Sequence, residues 1–163
     1  MKERNLTRKS TQMVYIALFT AIIIAMSAIP FLGYIPLGVI RATTLHIPVI
    51  LGSILLGPSS GAFLGFVFGM TSLLSNTFTP NITSFVFSPF YSLGDAQGNV
   101  LSLVICFVPR ILAGIIPYFV FCGLEKILRG KRPFALGCAG FVGSMMNTLL
   151  VMGTIFLFFG KEY

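Results

Sequence analysis

The sequence predicts an all-α integral membrane protein, a compact bundle of five transmembrane helices forming one domain over residues 1–163. Three observations carry that prediction. Hydrophobic residues make up 56% of the chain and charged residues only 9%, with a mean hydropathy of +0.96, so a water-soluble domain would lack the polar surface to cover itself. Apolar runs of about twenty residues dominate, the length that crosses roughly 30 Å of hydrocarbon at about 1.5 Å per residue. Finally, the basic residues behind the net charge of +7 gather at the edges of apolar segments and are not interleaved with aromatics on a polar face. That pattern sets membrane topology and argues against nucleic acid as a partner.

The first helix is expected from about Met13 to Ile29, after the basic start Lys2, Arg4, Arg8 and Lys9, and is closed by Pro30. No secretory signal peptide is evident, because no small-residue cleavage pattern stands clear of this segment. The turn-rich Phe31 to Pro36 leads into a loop that reaches Arg41. A second helix, Thr44 to Leu56, is short for a span and carries Pro48 near its start, which places its beginning below the membrane surface where protein or water lines it. Thr43 or Thr44 suits the N-cap of that helix. Gly57-Pro58-Ser59-Ser60 turns into a third helix ending near Ser75. The loop Asn76 to Asn99 follows, with the apolar patch Ile82 to Tyr91 read as a folded outer cap too short to cross. A fourth helix, Val100 to Leu128, contains Pro109 and Pro117, which should kink it near Arg110. After the basic turn Lys126 to Arg132, a fifth helix runs from Phe134 to Phe159.

Four lysines and arginines in the N-terminal tail and four in the 126–132 turn face Arg41 and Lys161 on the other side. This bias predicts a cytoplasmic N-terminus in a multi-pass protein of the lipid bilayer. Cys106, Cys122 and Cys138 lie in apolar segments without metal-ligand spacing and read as small packing residues.

Small residues recur at fixed intervals. Gly57, Gly61, Gly65 and Gly69 form one stripe of the third helix, suited to close packing inside the bundle or against a partner. Ala17, Ala21 and Ala25 form a similar stripe on the first helix, where a partner protein is the sharper reading.

Arg110 is the most informative single residue. It lies in an apolar stretch, and the four acids Glu3, Asp95, Glu125 and Glu162 fall in tails, in a loop or at a helix end. A guanidinium stays charged, so at membrane depth it must hold an anionic ligand, snorkel to water or bind backbone carbonyls. Arg41, Thr44 and His46 concentrate polar groups at the entry to the second helix and suggest a ligand wall. Asn147, beside Gly143 and Ser144, must satisfy its amide by an interhelical hydrogen bond or through a ligand. Nothing supports catalysis: there is no nucleotide-binding glycine loop, no histidine pair for a metal and no Ser/His/Asp set. No cofactor is implied.

Several runs then coincide: the Ala17, Ala21, Ala25 spacing; Thr43 through Gly52; Leu56-Gly57-Pro58 with Gly61, Gly65 and Gly69; Thr83 through Phe90; and Val108-Pro109-Arg110. With these the chain resembles the substrate-binding S component of energy-coupling factor (ECF) vitamin transporters, and most closely the pantothenate-type members. The resemblance implies capture of a vitamin from outside at the cell membrane of a prokaryote. Release inside would follow docking on a transmembrane T protein with two ABC-type ATPases, which alone hydrolyse ATP. It implies that Ala17, Ala21 and Ala25 face the T protein. It also implies six helices where five are read here, so a sixth is expected beyond Tyr163.

Pantothenate carries one carboxylate, which suits Arg110 through a bidentate pair. Thr44, His46, Asn76, Tyr91 and Asn147 would then meet its hydroxyls and amide, with Phe87 and Phe90 closing the mouth. Folate in the same family, or a structural subunit whose Arg110 binds a lipid phosphate, are the alternatives. A channel is disfavoured by the lack of a repeated polar pore lining.

Overall fold

The computed structural model describes residues 2–29, 32–37, 40–79, 100–127 and 132–159. They form helices α1 (Lys2–Ala28), α2 (His46–Leu56), α3 (Pro58–Phe78), α4 (Val100–Ile127) and α5 (Arg132–Phe159), with strands β1 (Tyr34–Leu37) and β2 (Ile40–Thr43) between α1 and α2. Within these, Lys9–Ala28, Pro58–Phe78, Leu103–Ile127 and Arg132–Leu157 are long and apolar enough to cross a membrane, whereas His46–Leu56 is a shorter apolar helix. The all-α membrane class is as expected from composition. Large apolar side chains such as Leu18, Phe63, Phe119, Phe141 and Phe156 are exposed on the outside of the bundle, where lipid in place of water suits them.

Three local expectations are corrected. The loop before Arg41 is instead an antiparallel hairpin, with Tyr34 opposite Thr43 and Leu37 opposite Ile40. Two residues, Gly38 and Val39, separate β-prone Tyr-Ile-Pro-Leu from Ile-Arg-Ala-Thr, a spacing that favours a hairpin over a loop. Neither threonine caps α2: its N-cap is Leu45, with no side-chain cap bond. Thr44 instead donates its hydroxyl to the carbonyls of Leu32 and Gly33 and so ties the segment leading into α2 to the one leading into β1. Lastly, α3 continues past Ser75 to Phe78, its last turn closed by the Thr79 N–H on the Ser75 carbonyl at 2.9 Å, while Asn76 Nδ2 and Thr77 Oγ1 donate to the carbonyls one turn back, Ser72 (2.8 Å) and Leu73 (2.8 Å).

The stripe of small residues on α3 packs inside the bundle. A Cβ on Gly61 would collide with the Gly114 carbonyl oxygen, and one on Gly65 with the Arg110 carbonyl oxygen. A Cβ on Gly69 would come within 2.8 Å of Phe107. The pairing runs 61 with 114, 65 with 110 and 69 with 107, so α3 and α4 are antiparallel. Gly57 belongs to the turn instead: at φ +97 it adopts a conformation that glycine tolerates, and Pro58 opens α3 where a missing N–H costs nothing. Leu45 and Val49 of α2 pack with Leu64 and Phe68 of α3 and Ile23 of α1. On the far side Phe121 of α4 meets Ala135 and Ala139 of α5, and Gly143 lies against Pro117 and Ile50.

The backbone contact at Gly61 makes a testable difference. Gly61→Ala is expected to lower stability by about 1–3 kcal/mol through overpacking, read as a reduced unfolding temperature in detergent. Gly123→Ala, on the same helix pair but facing open space, is expected to be neutral or stabilising by up to about 1 kcal/mol.

Candidate functional site

The antiparallel packing brings the start of α2, the end of α3, the first half of α4 and the second half of α5 to one end of the bundle. The largest buried polar side chains lie there, while the smaller Ser53 and Ser60 are buried towards the opposite end. Arg110 is 5% exposed, Asn76 9% and Asn147 8%, far below the exposure usual for these residue types.

Arg110 sits on α4 at the height of Gly65, but helical side chains lean towards the N-terminus. Its guanidinium therefore reaches the next turn, where Nη1 donates to the Ile105 carbonyl at 2.9 Å and Nη2 approaches Ser72 Oγ at 3.5 Å. Cζ stands 5.7 Å from the centre of the Phe68 ring, a cation–π contact. The carbonyl-binding reading of Arg110 is thus realised, alongside contacts on α3. Tyr34, from β1, buries its hydroxyl beside Thr71, Ser72 and Arg110, and that hydroxyl makes no hydrogen bond of ordinary geometry with the described residues. Asn76 lies one turn beyond Ser72 on the same face of α3.

A second polar group faces α4 from its other flank. His46 Nε2 and Ser144 Oγ are 3.1 Å apart, linking α2 to α5. Asn147, one turn further along α5, buries its amide oxygen with no hydrogen-bond partner among the described residues. A buried acceptor left in this way costs about 1–3 kcal/mol, which a ligand donor could recover.

Of the residues expected at the site, Arg110, Asn76, His46 and Asn147 come to the same end. Thr44 lies nearby with its hydroxyl committed to the hairpin, and Arg41 is on β2 opposite Pro36. Tyr91, Phe87 and Phe90, and the cap that contains them, lie outside the described residues. Ala17, Ala21 and Ala25 are exposed along α1. Sequence reasoning overlooked Tyr34, Ser72 and Ser144. For Ser72 a signal existed, since the glycine stripe 61, 65, 69 continues at helical spacing through 72 and 76.

Fold and site together define an all-helical membrane protein with hydrogen-bonding side chains gathered at one end. The family profile described as "ECF transporter, substrate-specific component" matches residues 11–163. The chain is 44% identical over 150 residues to "Pantothenic acid transporter PanT" of Lactococcus lactis subsp. cremoris, a match covering 91% of this chain and 69% of that relative. It is 34% identical over 154 residues to "Pantothenate transporter PanT" of Leuconostoc mesenteroides subsp. mesenteroides, covering 88% and 67% respectively. The chain belongs to the substrate-specific components of ECF transporters.

The amide of Asn147 distinguishes the two roles open to it. Asn147→Leu is expected to leave the unfolding temperature of the ligand-free protein unchanged or raised, because the substitution removes an acceptor with no described partner. A fall of about 1–3 kcal/mol in ligand-free stability would instead mark a structural interhelical hydrogen bond.

Proposed function

We propose that this chain captures pantothenate from outside the cell and releases it inside after docking on a transmembrane T protein served by two ABC-type ATPases. The observation that carries this reading is the burial of Arg110 at the one end of the bundle where Asn76, Tyr34, His46, Ser144 and Asn147 also collect. A single carboxylate meets a planar fork of donors, and the remaining groups offer acceptors and donors to the hydroxyls and amide of the vitamin. The names of the two relatives support pantothenate over folate.

Orientation follows from charge. With the basic tail and the 126–132 turn in the cytoplasm of a prokaryote, α1 runs outward and α2 inward. The polar end of the bundle then opens to the outside, as capture requires. Arg41 of β2 would belong to its rim. Exclusion of water there strengthens the charge pair and penalises a ligand that leaves a buried group unmatched.

The alanine stripe supplies the docking face in this reading. Ala17, Ala21 and Ala25 are exposed on a helix whose opposite side, through Phe19, Ile23 and Met26, is packed into the bundle. Small residues let a partner backbone approach closely where lipid offers no hydrophobic drive between helices.

Calorimetry on the purified protein with a vitamin panel tests the ligand, with tight binding of pantothenate alone as the expected result. Arg110→Lys keeps the charge and loses the fork, so its affinity is expected to fall at least about tenfold, roughly 1.4 kcal/mol. Near-wild-type affinity in that variant would remove Arg110 from the site. Ala21→Trp is expected to leave pantothenate binding unchanged and abolish uptake in cells that supply the T protein and ATPases. Normal uptake would mean that the stripe faces lipid.

A further inference from the structure

The Arg110 guanidinium donates to the Ile105 carbonyl, the one that proline at residue 109 leaves without its helical donor. In an uninterrupted helix the Ile105 carbonyl accepts the N–H of residue 109, four positions on. Pro109 has no N–H to give, and it lies inside α4 with its side chain fully buried. At membrane depth a carbonyl deprived of its helical donor must find another. The side chain of the next residue leans back over that turn, and its Nη1 takes the carbonyl at 2.9 Å. The second proline of the helix gives an internal comparison. Pro117 deprives the Ala113 carbonyl in the same way, but Tyr118 follows it and no cation is supplied.

We infer that Pro109 is a positioning residue for carboxylate recognition: the carbonyl it releases anchors one edge of the Arg110 guanidinium before the ligand arrives. This rests on the proposal that Arg110 meets the carboxylate of the vitamin. A guanidinium is rigid and planar, so fixing Nη1 on Ile105, with the Phe68 ring against Cζ, sets the plane of the whole fork. A pre-set fork spares the ligand the cost of ordering a long side chain.

The test compares two ligands on the full chain by calorimetry: pantothenate, and the alcohol in which its carboxylate is replaced by a primary hydroxyl group. Pro109→Ala returns an N–H to Ile105 and is well tolerated by a helix; Pro109→Gly returns it too and serves if the first variant misfolds. Either is expected to weaken pantothenate about tenfold and to change the alcohol by less than about twofold. Equal losses for both ligands would assign Pro109 a merely structural role, and unchanged affinity for both would remove the positioning effect; each result overturns the inference. Arg110→Lys run alongside separates the two levels. If it weakens pantothenate while Pro109→Ala does not, only this inference fails; if Arg110→Lys binds normally, the carboxylate reading fails and takes the inference with it.

Discussion

The contact between α3 and α4 is made of backbone, and the polar end of the bundle depends on it. Gly61 faces the Gly114 carbonyl, and Gly65 the Arg110 carbonyl, with no side chain between. Helices in a bilayer gain nothing by hiding from lipid that is as apolar as themselves, so close packing and hydrogen bonds must hold them together. The thiol of Cys106 contributes one such bond, donating to the Gly69 carbonyl at 3.3 Å. Because α4 lies this close, an arginine rooted opposite Gly65 can reach Ser72 and Phe68. A wider spacing would leave that guanidinium between the helices without its neighbours from α3.

The same construction appears twice. On α3, Gly61, Gly65 and Gly69 lead at helical spacing to Ser72 and Asn76; on α5, Ala135, Ala139 and Gly143 lead to Asn147. Both helices are antiparallel to α4, so the two small-residue stripes run in the same direction along its flanks and both end in a buried asparagine. Tight contact at one end gives way to hydrogen-bonding groups at the other. The larger hydrogen-bonding side chains are thereby set at one end of the bundle, on both flanks of α4, while Ser53 and Ser60 are buried towards the other.

Fold class was legible because composition and segment length are properties of the chain itself, and the helix ends followed within about three residues except at the start of α1, which runs back to Lys2 instead of Met13. The hairpin was less legible, since its turn chemistry at Gly38-Val39 was outweighed by the surrounding Pro and Gly. Asn76 was placed in a loop because asparagine is a poor helix former, yet it lies within α3, its amide donating to the Ser72 carbonyl one turn back. Arg110 stood out because a cation in an apolar run is costly wherever it goes. Its neighbours Tyr34 and Ser72, and the pairing of His46 with Ser144, are tertiary facts: they arise from helix register and antiparallel packing, which periodicity within one helix does not encode. The prolines were read as kinks, whereas the consequence that matters at Pro109 is chemical, a carbonyl without its helical donor.

Under the proposed function the site takes and releases an anion, and the described contacts of Arg110 suit that task. The contacts described for it are a backbone carbonyl, a hydroxyl and an aromatic ring, each able to stabilise a positive charge without cancelling it. Arg132 pairs with Glu125 at 3.0 Å on the exposed surface. An internal carboxylate held against Arg110 would compete with any incoming one, so that binding would exchange one ion pair for another and gain little. The apolar stretch around Arg110 itself carries no acid, so its own residues set no such competitor beside the arginine.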